Sequence, residues 1–393
     1  MTTTVAEDDD ISAFTTIATI ECVDELALFL VSLRHAHPIT PIWVATTQSL
    51  LNLLLRRATT TDNNDKENPF FDVVRTFAVP AVHGHHHDHQ QHHHFSGSGF
   101  VSTTNVHWVP LIHDAYLPIS RGAMERTPGV FYPTRHADFM MEKSTVLELA
   151  LAHAQLSNAE KEEKVDADFS RDSQQLRMMG DNNQMRRRTT PMVLFLDCDI
   201  CTLARWPRIP VNSTIALSRH GIRQEDELLW GTYNGGVVGV RQPEALFQWR
   251  KHTLKSRFHD QASLEEVAAW SERNFGEDSV AQLPVQTNYG YWRMMQTSRE
   301  LTENVLSSEV SKFSMKHCSS VVGADDDSAA QHQRGDHLLH YQGKPLQSVH
   351  AHLFVPPAKN SSASMPLFNA LLVQWLRSSQ SRSYQHIVRL LAR

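Results

Sequence analysis

Two carboxylates spaced two residues apart, Asp197 and Asp199, close the apolar run MVLFL at residues 192–196. In a strand, positions i and i+2 share a face and lie about 7 Å apart, so the pair projects together from the strand's carboxyl end. That end is where open α/β sheets bind ligands. Two bare carboxylates repel, and a divalent cation shared with phosphate oxygens resolves the repulsion. Oxygen-rich sets of this kind suit Mg2+ or Mn2+. The same ion can stabilise charge developing on a diphosphate leaving group. The plainer alternative is a pair of strand-terminal acids in a solvated turn. Cys198 and Cys201 form a C-x-x-C with no second half-site, a weak zinc signal, and Cys22 and Cys318 add no disulfide framework.

Three further groups could do chemistry. Asn234, Gly235 and Gly236 precede the strand-like residues 237–240; glycines let a backbone approach a ligand closely, although an ordinary turn before a strand reads the same way. Asp260-Gln261 stands at a loop-to-helix junction, where an aspartate can also serve as a plain N-cap. Late in the chain come His340 and the pair His350 and His352, the last two on one face of a strand. The histidine tract at residues 83–94 reads as a loop that could take up Ni2+ or Zn2+ adventitiously.

The elements that would position these groups alternate strand and helix. Residues 14–20 are β-branched and read as a strand. Val23, Leu26, Ala27, Leu30 and Val31 recur at helical spacing, in a helix ending near His37-Pro38, and PIWVAT at 41–46 is a second strand. That is the βαβ unit of a parallel sheet. A strand at 106–111, a helix at 142–156, the buried strand at 192–196 and helices at 243–255 and 261–270 follow. Pro243 opens its helix at the first turn, a favourable place. The expected fold class is α/β: a Rossmann-like open mixed sheet flanked by helices.

Composition bounds the rest. With 393 residues, 41% of them apolar and 20% charged, a sizeable core can form. A net charge of −6 argues against a non-specific grip on nucleic acid, and Arg186, Arg187 and Arg188 read as a solvated loop. No stretch reaches the roughly 18 apolar residues of a membrane helix. Residues 1–10 are acidic and polar, unlike a signal peptide. Sequons at Asn212 and Asn360 leave the compartment open, secretory or cytoplasmic. Residues 59–68, 83–99, 157–190 and 319–336 read as loop insertions in one catalytic domain spanning 11–356, with a helical extension at 357–393.

An apolar strand ending in D-x-D also occurs in haloacid-dehalogenase-type phosphatases, with the first aspartate as nucleophile and the pattern D-x-D-x-T/V. Here Cys201 holds the last position, and the motif lies mid-chain after at least one βαβ unit; both count against that class. The order of motifs instead resembles GT-A-type glycosyltransferases of the nucleotide-diphospho-sugar transferase families. It runs from TTIATIECVDELALFLVSLRHAHP through LDCDICTLA, YNGGVVGV and FHDQASLEEV to LHYQGKPLQSVHAHLF. The resemblance covers most of the chain outside the insertions. It implies a metal-dependent transferase acting on a nucleotide sugar, UDP-linked, and a hydroxyl acceptor on a glycan or protein. A non-catalytic protein keeping that fold is the remaining alternative.

Carried over residue by residue, the resemblance makes Asp197, Asp199 and a late histidine the ligands of Mn2+ or Mg2+. His340 begins an element similar to the H-x-x-G-x-x-K-P of glycogenin-like transferases, but two residues between Gly343 and Lys344 and the tryptophan after Pro345 are missing. His350 is therefore the favoured ligand, with His352 beside it. Thr19, Lys143 and Cys198 become the donor-binding candidates, with Arg135 and Asp138 near Lys143; an exposed helix face is the other reading of Lys143. Asn234, Gly235 and Gly236 line donor sugar and acceptor, and Asp260 and Gln261 face the reacting groups.

Overall fold

The computed structural model describes residues 11–55, 69–78, 105–172, 190–295, 303–317, 337–351, 353, 364–379 and 381–391. The opening βαβ unit forms. β1 (Ile11–Ile17), α1 (Val23–Ala36) and β2 (Ile42–Thr47) follow in order, and the two strands pair in parallel with Phe14 opposite Ile42. The first strand ends three residues before the sequence reading places it, because Ile20 already begins a 3-10 turn and is 36% exposed. Arg34, in the last turn of α1, donates to the carbonyls of His37, Pro38, Thr40 and Asn105 and so clamps the reversal into β2.

Next come α2 (Gln48–Leu55), α3 (Phe70–Ala78), β3 (Val106–Ile112), α4 (Arg121–Arg126) and α5 (Arg135–Asp172). The charged segment expected as a loop from residue 157 continues α5 as far as Asp172. Its glutamates, lysines and alanines are good helix formers, so propensity sustains the helix where an apolar period is lacking. The expected insertions at 59–68, 83–99 and 319–336 lie outside the described residues.

β4 (Met192–Leu196) is wholly buried, as its unbroken apolar run requires. After it come β5 (Ile200–Thr202), β6 (Ile215–Arg219), α6 (Gln224–Trp230), β7 (Tyr233–Val240), α7 (Pro243–Thr253), α8 (Leu264–Phe275) and β8 (Val280–Leu283). The main sheet has the order β3-β2-β1-β4-β7-β6-β8. β7 runs antiparallel to β4 and β6, and the other pairs are parallel. The sheet is thus open and mixed, with apolar clusters on both faces. Asn234, Gly235 and Gly236 lie inside β7 rather than in a turn before it.

The chain continues with β9 (Tyr289–Gly290), α9 (Glu303–Ser311), β10 (Phe313–His317), β11 (His337–Tyr341), β12 (Lys344–Pro345), β13 (Ser348–His350), α10 (Ser364–Ser378) and α11 (Arg382–Leu391). β13 lies between β5 and β9 in a small second sheet. Its register sets His350 opposite Ile200, the residue after Asp199. The last two helices bury Phe368, Leu372, Trp375, Leu376, Tyr384 and Ile387 in the same cluster as β1 and α1. Tyr384 also donates its hydroxyl to the Thr202 carbonyl at 3.1 Å. Among the described residues no helix is long and apolar enough to cross a membrane.

Candidate active site

The acid pair sits where β4 ends and the chain turns into β5. The Asp197 N–H donates to Gly236 O at 2.9 Å, and the Ala351 N–H donates to Asp199 O at 2.8 Å. These bonds tie the motif to β7 on one side and to the residue after β13 on the other. His350 Nε2 therefore lies 2.9 Å from Asp199 Oδ1 and 4.0 Å from Asp197 Oδ2. One ligand atom from each of the three residues falls within 4.8 Å of the others. Around an octahedral Mg2+ with bonds of about 2.1 Å, neighbouring ligand atoms are about 3 Å apart and opposite ones about 4.2 Å. The observed spacings match, so the residues fit such an ion.

Gly236 keeps the space open. A Cβ there would stand 2.7 Å from Asp197 Oδ2, 2.7 Å from His350 Cε1 and 2.8 Å from Asn234 Oδ1. Asn234 Oδ1 accepts from the Gly236 N–H at 2.9 Å and from Asn288 Nδ2 at 3.0 Å, while Asn288 Oδ1 lies 3.3 Å from His350 Nδ1. That chain orients the imidazole so that Nε2 faces the acids, the arrangement expected behind a ligating histidine. The edge of Trp292 packs against the same ring, with centroids 5.0 Å apart. Burial pulls the His350 imidazole down, but the adjoining Asp199 carboxylate more than reverses this and leaves it above its ordinary value. A cation at this place would replace that proton.

Lys143 reaches the same site from α5 and is 2% exposed, not on an exposed helix face. Its ammonium meets Asp197 Oδ1 at 3.1 Å and Asp260 Oδ2 at 3.3 Å, and donates to Gly235 O at 3.1 Å. Burial opposes the charge on this lysine, yet the two carboxylates hold its affinity for the proton above the usual lysine range. Burial likewise raises the Asp197 carboxyl; Lys143 offsets part of this, and repulsion from Asp199 adds to it.

Asp260 is 3% exposed and does not cap a helix, since α8 begins at Leu264 with Ser263 at its N-cap. Its carbonyl instead accepts from Trp249 Nε1 at 2.8 Å and from Ser263 Oγ at 2.6 Å. Gln261 Oε1 accepts from the Gly235 N–H at 3.3 Å, and its Nε2 donates to Trp230 O at 2.7 Å. Gln261 thus holds Gly235 beside Asp260, both lying where a Gly235 Cβ would point.

The remaining candidates divide. Cys198 is joined to Cys22, whose thiol, hydrogen-bonded to Cys198, together with burial pushes the Cys198 thiol well above its ordinary value. Cys22 in turn donates to Thr19 O at 3.3 Å and accepts from the Thr19 N–H at 3.1 Å. Thr19, Cys22 and Cys198 therefore form one string running from the end of β1 to the acid pair. Cys201 is fully buried, and burial raises its thiol to about 12; among the described residues neither cysteine of the C-x-x-C belongs to a group of three or more possible metal ligands.

Asp138 accepts the N–H groups of Val130, Phe131 and Tyr132 at 2.6–3.0 Å and holds that loop. Arg135 lies over the Tyr116 ring. His340 lies on β11, with Nδ1 3.0 Å from Leu338 O. His352 is outside the described residues. The sequence reading missed Asn288 and Trp292, which carry no spacing signal, and a second imidazole–carboxylate cluster of Glu125, His136 and His259.

Fold and site together define an open mixed α/β sheet with an acid–acid–imidazole set at the carboxyl end of its central strand. No family model matches the chain, and no curated protein matches it. Among solved structures, the chain is similar to a galactosyltransferase, LgtC, in complex with donor and acceptor sugar analogs. That match has a TM-score of 0.34 and 11% identity, and covers 97% of this chain and 95% of that one. The apo WbbM bifunctional glycosyltransferase matches with a TM-score of 0.40 and 7% identity, over 98% of this chain and 52% of that one. The glycosyltransferase GlyE of Streptococcus pneumoniae matches at 0.30 and 11% identity, over 71% and 47%.

Proposed function

We propose that the chain is a metal-dependent glycosyltransferase moving a sugar from a nucleoside diphosphate donor, UDP-linked, to a hydroxyl on a glycan or protein. The observation that carries this reading is the convergence of Asp197, Asp199 and His350 within one coordination sphere. Mn2+ or Mg2+ held there would neutralise the diphosphate leaving group. Thr19 and Cys198 belong to the donor side, beyond the end of β1. Gly235 and Gly236 present a backbone without side chains toward the sugar, and Asn234 braces them through its Oδ1 bond to the Gly236 N–H. Asp260 orients the acceptor hydroxyl, and Lys143 binds Asp260 and Asp197 in fixed relation.

A screen of nucleotide sugars for Mn2+-dependent hydrolysis tests the activity, and Asp260→Asn tests the role of that carboxylate. Asparagine preserves shape but removes the charge, so turnover should fall by roughly a hundredfold or more, the scale of general-base loss. Near-normal turnover in Asp260→Asn would remove it from the chemistry. Turnover of a generic phosphoester, inhibited by beryllium fluoride, would instead support the phosphatase reading of Asp197.

A further inference from the structure

Glu125, His136 and His259 come from three separate elements. Glu125 lies in the last turn of α4, His136 in the first turn of α5 and His259 in the turn before α8. One ligand atom from each lies within 4.8 Å of the other two. Glu125 Oε1 is 3.9 Å from His136 Nε2 and 3.7 Å from His259 Nε2, and the two rings stand 4.5 Å apart at 66°. These separations are too long for hydrogen bonds, which need about 2.7–3.2 Å. They are close to the edge of a coordination tetrahedron: with zinc–ligand bonds of about 2.1 Å, ligand atoms are about 3.4 Å apart. Closing the set around an ion requires shifts of a few tenths of an ångström.

Two further features bear on the site. His136 is 5% exposed and presents Nε2 to Glu125 from a buried position. His259 has φ of 42°, a left-handed backbone uncommon outside glycine. Such a conformation persists where the surroundings over-determine it, and here it sets the ring against His136. Arg121 Nε donates to Glu125 Oε1 at 2.8 Å and holds the carboxylate in place.

From this arrangement we infer that Glu125, His136 and His259 form a second metal site, distinct from the acid pair, which takes Zn2+. Two imidazoles with one carboxylate suit zinc, whereas Mg2+ and Ca2+ prefer all-oxygen sets. The adjacent Arg121 charge further disfavours a weakly held hard cation. Three protein ligands leave a fourth position for water. The ion fastens the turn carrying Asp260 and Gln261 to α4 and α5, and so acts as a positioning element. The site stands whether or not the chain transfers sugar.

The test is zinc stoichiometry in the full-length chain. Protein is stripped with EDTA, loaded with Zn2+, passed through a desalting column and analysed for metal. Wild type, His136→Ala and His259→Asn are compared; asparagine tolerates the left-handed backbone. All three retain the tract at 83–94 and the acid pair, so those contributions cancel. Wild type should keep one more zinc per chain than either variant, and its melting temperature should rise more on adding Zn2+. Equal stoichiometry and equal zinc-induced shifts in well-folded variants would overturn the assignment. Should both histidine variants fail to fold, Glu125→Gln decides: the site requires its zinc affinity to fall tenfold or more, and unchanged affinity would overturn it.

Discussion

Replacing Gly236 with alanine perturbs the acid–acid–imidazole set without removing a ligand. The new Cβ would stand 2.7 Å from Asp197 Oδ2 and from His350 Cε1, and 2.8 Å from Asn234 Oδ1. Comfortable contacts to carbon begin at about 3.5 Å, so each neighbour must retreat by about 0.7–0.8 Å. The backbone cannot yield instead, because Gly236 lies in a strand paired on both sides and accepts from the Asp197 N–H. Overpacking of this kind costs about 1–3 kcal/mol of stability. A 0.7 Å displacement also exceeds the roughly 0.2 Å tolerance of a metal–ligand distance. Mn2+ affinity should therefore fall at least tenfold, about 1.4 kcal/mol. Gly239→Ala is the control. Its Cβ meets Leu194, Ala216 and Met192 and no site residue, so it should lose stability alone. Titration of free Mn2+ by electron paramagnetic resonance in the presence of UDP, with melting in EDTA, separates the two effects. Wild-type Mn2+ affinity in Gly236→Ala, or an equal loss in Gly239→Ala, would show that Gly236 does not hold this space open for an ion.

Lys143→Met should destabilise the fold by about 3 kcal/mol at pH 7, the lower end for breaking a buried ion pair, because the Asp197 side chain is 29% exposed. Lys143 lowers the Asp197 carboxyl that burial raises, so without the ammonium the folded Asp197 takes up a proton at higher pH and the deficit should shrink as pH falls toward 4–5; urea unfolding showing the same deficit at both pH values would contradict this. His350 predicts opposite trends for the apo fold and for the metal. Its affinity for the proton is raised in the folded state, so its contribution to apo stability is complete below the unfolded value and is lost as pH rises through the folded one. Mn2+ must displace that proton, so Mn2+ affinity should climb with pH through and above the ordinary histidine range and lose this dependence in His350→Ala; a flat wild-type profile measured from pH 6 to 8.5 would count against His350 as a ligand.

Much of the scaffold was legible because its signals are local. The unbroken apolar run before Asp197 specified a buried strand, and the spacing of Val23, Leu26, Ala27, Leu30 and Val31 specified α1. The acid pair announced itself by its position after that run. What failed depends on contacts distant in sequence. Asn234, Gly235 and Gly236 look like a turn, but they are strand residues, and the missing side chains of Gly235 and Gly236 make room for Asp260, Asp197 and His350. Lys143 has the composition of an exposed helix position and is buried because two carboxylates from other elements meet it. Asp260 resembles a cap, yet the helix starts at Leu264. Charged residues beyond 156 gave no apolar period, but their helix propensity is high and α5 runs on to Asp172. The Glu125, His136 and His259 cluster has no motif spacing, so only the folded chain assembles it.

If Asp197, Asp199 and His350 hold a divalent ion together with a nucleoside diphosphate, UDP binding must depend on the ion and on the carboxylates. Calorimetric titration of UDP into the protein, with and without Mn2+, tests it most directly, in wild type and in Asp199→Ala. Wild type should bind UDP strongly only when Mn2+ is present. Asp199→Ala should lose about a hundredfold or more of that affinity, about 2.7 kcal/mol, while still melting cooperatively in EDTA, relief of the repulsion from Asp197 offsetting part of the lost His350–Asp199 pair. Undiminished Mn2+-dependent UDP binding in Asp199→Ala, and again in the double variant with Asp197→Ala, would contradict the account.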